Sequence, residues 1–341
     1  MPVTIKDIAK AARVSHSTVS RALNNDRRVK PETRERILQV ARRLNYQPND
    51  VARSLVTRQT NTIGIIIPEV MTSFYAEILQ GIEKVANENG YSIILGVSGF
   101  DPVKEREYIN LFKRKQVDGM ILASTCPDNF PELWELKRER LPFLIVDAYV
   151  GDATFITLSV DNLFGVMLAM NHLIEMGHRR IAYIADRFTT SQRLAAYRLA
   201  LETSGIQLDQ ELIRISDNRG EAGGYEAMTQ LLELDPPPTA AFASNDVMAV
   251  GAIAAVRHKG MKVPDDVSVV GFDDMRISSF LEVPLTTVAQ PKQEMGERAA
   301  QILIDWIKSG NGEPEPQHIL FKPRLVVRSS VKPLQPSATT V

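Results

Sequence analysis

The sequence predicts an N-terminal all-α helix-turn-helix head followed by an α/β core of two doubly wound parallel-sheet lobes. Charge is the first ground. Residues 1–60 hold 13 Lys and Arg against 5 Asp and Glu, whereas the rest of the 341-residue chain holds 27 against 36. A basic head on an acidic body points to a polyanionic partner for the head, with a merely solvated face as the plainer alternative. Periodicity is the second ground, because apolar residues recur at helical spacing in three short runs of the head. Third, strand-like apolar runs beyond residue 60 alternate with amphipathic stretches in two successive series.

Composition sets the outer limits. With 44% hydrophobic and 24% charged residues the chain has enough apolar surface for two or three compact units. No run approaches the ~18 apolar residues of a membrane span, and MPVTIKDIAK turns charged at once instead of opening like a signal peptide. A cytoplasmic protein that makes no use of a membrane is expected. The single cysteine, Cys126, rules out an intramolecular disulfide and reads as a small buried filler rather than a nucleophile.

In the head, Thr4 followed by Asp7 forms a capping box, and Ile5, Ile8, Ala9 and Ala12 share one face of a first helix of about eight residues. Ser15 caps a second helix with Val19, Ala22 and Leu23 inward and His16, Ser17 and Arg21 outward. Pro31 opens a third, with Ile37, Leu38, Ala41 and Leu44 inward, which stops near Asn45. Two helices joined by three residues and braced by a third make a helix-turn-helix. A helix fits the major groove of B-DNA, so His16, Ser17 and Arg21 become candidate base readers, with Arg21 able to bind guanine bidentately. Thr4, Ser15, Thr18, Asn24 and Tyr46, near helix starts and turns, suit phosphate oxygens.

VTIKDIAKAARVSHSTVSRALN, ETRERI and LNYQPNDVARSL together resemble the N-terminal signature of the LacI/GalR family of bacterial transcription regulators. One departure is Arg13, at a turn position where that family usually has Gly; a left-handed backbone there costs a non-Gly residue about 1 kcal/mol. Residues 48–60 begin with a cap, Asn49, and place Val51, Ala52 and Leu55 on one face, but a helix this short needs a surface to fold against. The resemblance implies a hinge that becomes helical on operator DNA and pairs with its dimer mate. Leu55 is then the minor-groove wedge, Ala52 allows close approach of the two hinges, and Asn49 and Arg53 lie near the DNA backbone.

In the body the first series of strand-like runs is 63–68, 91–97, 118–124 and 142–147, and the second is 179–186, 239–246 and 267–274. Such alternation implies parallel sheets with right-handed crossovers, one per lobe. Late elements at 292–307 and 324–330 are expected to cross back, one to each lobe. The resemblance implies a periplasmic-binding-protein-like core over 61–330, with lobe 1 at about 61–160 and 291–321 and lobe 2 at about 161–290 and 322–330. The head then ends at 47, and 331–341, Pro-rich and without a leucine heptad, is a flexible tail, leaving a homodimer as the default.

Ligands of open parallel sheets sit beyond the carboxyl ends of the strands. Phe74, Tyr75, Asp147, Asp161, Arg187, Thr189, Asn245, Asp246 and Asp273 lie there, Arg193 is added from the helix opening TTSQRLAAYRLAL, and carboxylates, an amide, an Arg and aromatic faces suit a polyhydroxylated molecule. The contexts RLAAYR, SNDVMAVGA and VVGFDD resemble the family's effector motifs and assign Arg193, Asn245 and Asp273; Asp161 in VDN reads as an organiser of the lobe crossing. Arg187, Thr189, Phe74 and Tyr75 also resemble the purine-responsive pattern, but Arg219 stands where a base-stacking aromatic is expected. A sugar or sugar derivative is therefore the expected effector, with a nucleobase or a protein corepressor as alternatives.

No GxGxxG after a strand, GxxxxGK[ST], HExxH or GxSxG is present, so no enzyme, cofactor or metal is implied. His172 and His178 do not make a metal pair, because Gly177 reads as a helix end between them. A sugar-binding transport receptor shares the body, but it needs a signal peptide and no such head. The expected protein is a transcription regulator, a repressor, that binds pseudo-palindromic double-stranded operator DNA as a homodimer at the nucleoid.

Overall fold

The computed structural model describes residues 3–23, 26–46, 59–123, 130–148, 154–187, 190–310, 312 and 314–334. The chain divides into two compact units, Met1–Thr60 and Asn61–Val341.

The first unit is three helices, α1 (Ile5–Ala12), α2 (His16–Leu23) and α3 (Pro31–Arg43). The backbone N–H and hydroxyl of Thr4 both donate to Asp7 Oδ2, at 2.9 and 2.7 Å, which fixes the start of α1. These bonds hold the Asp7 carboxyl below its usual range. Arg13 ends α1 in the left-handed region, at φ 53° and ψ 48°. Ser15 Oγ then accepts the Thr18 N–H at 3.2 Å, capping α2. Ile8, Ala9, Ala12, Val19, Ala22, Val29, Ile37 and Ala41 close the core. Leu38 is half-buried and lies outside that cluster; Val40 and Tyr46 pack against it instead.

The second unit holds two six-stranded sheets. The first has the order β11-β5-β4-β3-β1-β2, from β1 (Thr62–Ile67), β2 (Ser92–Val97), β3 (Gly119–Ala123), β4 (Phe143–Val146), β5 (Thr157–Val160) and β11 (His318–Phe321), all parallel. The second has the order β12-β10-β9-β8-β6-β7, from β6 (Ile181–Asp186), β7 (Ile213–Ser216), β8 (Ala240–Ala243), β9 (Ser268–Asp273), β10 (Thr286–Ala289) and β12 (Arg324–Val326). Only β12 runs antiparallel. The strand-like runs seen in the sequence all form strands; β5, β7, β10 and β11, four residues each, were not among them.

Helices cover both faces of each sheet, which is why the central strands are continuously apolar. The first lobe carries α4 (Ser73–Glu88), α5 (Pro102–Arg114), α6 (Phe130–Arg138) and α11 (Lys292–Ser309). The second carries α7 (Asn162–Glu175), α8 (Thr190–Thr203), α9 (Gly220–Leu231) and α10 (Asp246–His258). Met295, Ala299 and Leu303 of α11 join Ile78 and Ile82 of α4 in the core of the first lobe. The two helices cross through glycines: a Cβ on Gly296 would lie 2.0 Å from Ile78 O, and one on Gly81 2.1 Å from Gln293 O. The chain passes between lobes after β5, after β10 and after β11.

Val331 to Leu334, placed by the sequence in the flexible tail, are instead fastened to the second lobe. Lys332 N–H donates to Ser268 Oγ at 3.2 Å, and Leu334 N–H to Met176 O at 2.8 Å. The carbonyl that closes α7 and a side chain at the start of β9 supply the partners of this piece of chain.

Candidate functional site

On the head, His16, Ser17 and Arg21 are all exposed on α2, on the side away from Val19 and Ala22. Ser15 Oγ lies 2.9 Å from Ser17 Oγ and 2.8 Å from Thr18 Oγ1, so these hydroxyls form one cluster at the helix start. Thr4 is exposed at the start of α1, and Tyr46 is half-buried against the core. Between α2 and α3, Arg28 Nε and Nη2 grip Asp26 at 3.0 and 2.7 Å, holding the Asp26 carboxyl at about 2. That pair spends one head cation on loop geometry. Asn24, Asn49, Ala52, Arg53 and Leu55 lie outside the described residues, as do Cys126 and Thr189.

In the core, a cavity of about 1230 Å³ opens between the lobes at the carboxyl ends of the strands. The first turns of α4, α7, α8, α9 and α10 face it through Ser73, Asn162, Ser191, Gly220 and Val247. Arg193 on α8 is its fixed point. Its Nε donates to Asn162 Oδ1 at 2.8 Å, its Nη1 donates to Ser244 O, and its guanidinium lies 3.8 Å from the centre of the Phe272 ring. Asp273 Oδ1 is 3.7 Å away.

Two carboxyls around this Arg, and a third beyond them, are shifted upward. Burial pushes Asp147 up to about 7 and Asp273 up to about 6, against the pull of Arg193 on both. Asp147 Oδ2 accepts the Tyr75 hydroxyl at 3.0 Å, and Asp273 Oδ1 accepts Gln290 Nε2 at 2.6 Å. Both residues leave their strands with positive φ, 59° and 113°, which turns them into the cleft instead of along the sheet. Asp246, pushed up to about 7 by burial, is fully buried and plays a different part. It accepts Met275 N–H, Ser278 Oγ and Thr287 Oγ1 at 2.7, 2.6 and 2.5 Å, and so anchors the turn that forms one cleft wall.

Asn245 caps α10 by accepting Met248 N–H at 2.9 Å and lines the cavity. Phe74 and Tyr75 stand edge to face at 4.9 Å in the first turn of α4. Asp161 caps α7 through Phe164 N–H at 2.9 Å, at the first lobe crossing. Arg187 departs from its expected place: its side chain is 63% exposed, 3.8 Å from Asp217, and is not among the cavity-lining residues. Successive strand-end residues point to opposite sides, and Asp186 takes the inward position.

Asn162, Asp186 and Phe100 line the cavity without having been singled out from the sequence. The rule of strand ends reaches Phe100 and Asp186, and Asn162 follows the capping Asp161. Arg219 lies over Phe100 across the lobes, its guanidinium carbon 3.1 Å from the ring centre, with Nε 4.0 Å from Asp186. Lys292 ties the lobes from below: its buried Nζ donates to the carbonyls of Asp273 and Asp274 at 2.6 and 2.8 Å and lies 3.4 Å from Glu77 on α4. His178 is buried between Thr239 Oγ1 and Lys332 O, at 3.1 Å from each, a structural position. Among the described residues no group of three His, Cys, Asp or Glu is placed to hold a metal, and no helix is long and apolar enough to cross a membrane.

A helix-turn-helix head joined to a two-lobed core with a cleft between the lobes defines a DNA-binding regulator controlled by a ligand. Residues 4–49 match the family of bacterial regulatory proteins, lacI family, and residues 170–331 match the periplasmic binding protein-like domain. The chain is 37% identical over 340 residues to the HTH-type transcriptional repressor CytR of Escherichia coli (strain K12), covering 97% of each. It is 38% identical over 333 residues to the HTH-type transcriptional repressor PurR of Klebsiella pneumoniae (strain 342), covering 96% of each. The lac repressor dimer, solved bound to operator and the anti-inducer ONPF, superposes with a TM-score of 0.86 at 27% identity, over 97% of this chain and 100% of that one. The chain belongs to the lacI family of bacterial regulatory proteins.

Proposed function

We propose that the protein is a cytoplasmic transcriptional repressor, acting as a homodimer on a pseudo-palindromic operator and responding to a sugar or sugar derivative in the cleft. His16, Ser17 and Arg21 read bases, Thr4, Ser15, Thr18, Asn24 and Tyr46 meet phosphates, and the segment around Asn49, Ala52, Arg53 and Leu55 is the hinge and minor-groove wedge. The relatives named above are repressors, and the lac repressor was solved as a dimer on its operator, which supports both readings.

The observation that carries the effector class is the setting of Arg193. A guanidinium has five donors, and those spent on Asn162 and Ser244 hold the rest in place toward the cleft. Asp147, Asp273 and Asn245 stand around it, and Phe74 and Tyr75 provide an apolar wall. Hydroxyl groups paired with a C–H face satisfy this lining. A nucleobase is the second reading, favoured by Phe74 and Tyr75 and opposed by the outward Arg187 and by Arg219 covering Phe100.

Thermal shift of the purified protein against sugars, sugar phosphates, nucleosides and nucleobases tests this, because a ligand of the folded state raises the melting temperature. A shift with one sugar class, lost in Arg193→Ala, is expected. A shift confined to nucleosides or nucleobases moves the effector class to the second reading, and a shift that survives in Arg193→Ala removes Arg193 from the site.

A further inference from the structure

Among the described residues of the head, Arg13 and Asn45 have left-handed backbones, and of the two Arg13 carries the long side chain that this conformation disfavours. It joins α1 to the turn before α2 at φ 53°, a conformation that favours Gly or Asn over a residue with a long side chain. The turn closes the end of α1 through Arg13 N–H on Lys10 O at 3.4 Å and Val14 N–H on Ala9 O at 3.1 Å, backbone bonds that a Gly at this position would make equally. The Arg13 side chain is exposed, and among the described residues no hydrogen bond or ion pair engages it. Asp26 and Asp7 are taken by Arg28 and Thr4, and Glu32 and Glu35 stand exposed on α3; none of these four carboxylates is paired with Arg13.

Its surroundings are cationic. Lys6 and Lys10 are exposed one helical turn apart on α1, and Arg13 follows at the next turn. Asp7 offsets part of this charge through Lys10, and what remains repels unless a polyanion spans it. Two residues beyond Arg13 stands Ser15, the cap of the helix whose exposed start carries His16 and Ser17. A helix-turn-helix lays its first helix across the DNA backbone and sends the start of its second into the groove, so the turn between them passes a phosphate strand.

We infer that Arg13 is a DNA-phosphate contact, held at the turn at the expense of head stability and acting with Lys10 on the same strand. The inference rests on the helix-turn-helix reading of the head. A different role for the charge, easing the carboxyl end of the α1 dipole, makes the opposite prediction for stability.

The test measures affinity of the full chain for a fluorescein-labelled duplex of arbitrary sequence, between about 50 and 200 mM salt, together with the melting temperature. One phosphate contact adds about 0.9 to the log-log slope, so native protein should lose about threefold more affinity over that range than Arg13→Gln or Arg13→Gly. Arg13→Lys should keep the native slope. Arg36→Gln, which removes an exposed charge from α3, should leave the slope near native, and Arg13→Gly should melt no lower than native. An unchanged slope in both Arg13→Gln and Arg13→Gly overturns the inference. So does an equal drop in Arg36→Gln, which would mean diffuse charge, or a lower melting temperature in Arg13→Gly, which would mean a helix-end role. Native protein with no salt dependence would instead defeat the DNA-binding reading of the head.

Discussion

Asp246 and Asp273 show how a single carboxyl can couple stability to pH. Burial raises Asp246 and Asp147 to about 7 and Asp273 to about 6, so the folded state holds protons that the unfolded chain has released by about pH 4. The stability these groups contribute is complete below their unfolded values and lost as pH rises through 6 to 7. Carboxyls held low, such as Asp26 at about 2, act only in more acidic solution and do not offset this. The effector-free protein should therefore melt lower at pH 8 than at pH 5, and Asp246→Asn, which keeps the accepting oxygen for Met275 and Ser278, should flatten that fall. A melting temperature level across this range would show the three carboxyls to be ionised in place. Legibility at this scale followed direction: Asp147, Asn245 and Asp273, which line the cavity, were readable from strand ends, and Arg193 from the opening of the helix that follows one. Arg187 was misplaced because position along a strand does not say which of two neighbours faces inward.

At the level of elements, the crossing of α4 and α11 sets where Phe74 and Tyr75 stand. Gly296→Ala would drive a Cβ to 2.0 Å from a backbone carbonyl, which only a shift of one helix can relieve. Overpacking of this kind costs about 1 to 3 kcal/mol. The variant should melt lower and bind effector more weakly, since α4 carries two cleft residues; an unchanged affinity would show that the helix ends are held independently of the crossing. The seven long apolar runs and the three head helices were visible in the sequence because period and capping agreed there. Strands such as TLSV, TTVA and IRIS were not, being four residues long with Thr, Ser or Arg at half their positions. Their pairing is decided by neighbouring strands, a tertiary fact that no local pattern records.

For the whole molecule, the partition of charge into a basic head and acidic body remains the most direct guide to function. Operator binding should weaken steeply with salt, by about 0.9 in the log-log slope for each neutralised phosphate. Leu55→Ala should lower specific operator affinity while weak binding to other DNA persists; equal loss of both, read by competition with unrelated duplex, would take Leu55 out of the wedge role. The two-lobed arrangement was legible from the two series of strands. The ties between lobes were not: Lys292 reaches from α11 to the carbonyls of Asp273 and Asp274 in the other lobe, a contact visible only once both lobes are folded.

The three passages of the chain between lobes also govern how the protein is born. The head has its whole core by residue 46 and can fold while the ribosome is still making the body. The first lobe cannot. Its strands β1 to β5 are complete by residue 160, yet α11 and the edge strand β11 come only at 292–309 and 318–321, about 7 to 30 seconds later at ordinary elongation rates. Through that interval Ile78 and Ile82 lack the cover that α11 gives and one edge of β5 is unpaired, and nascent chains stalled there should be the ones chaperones hold.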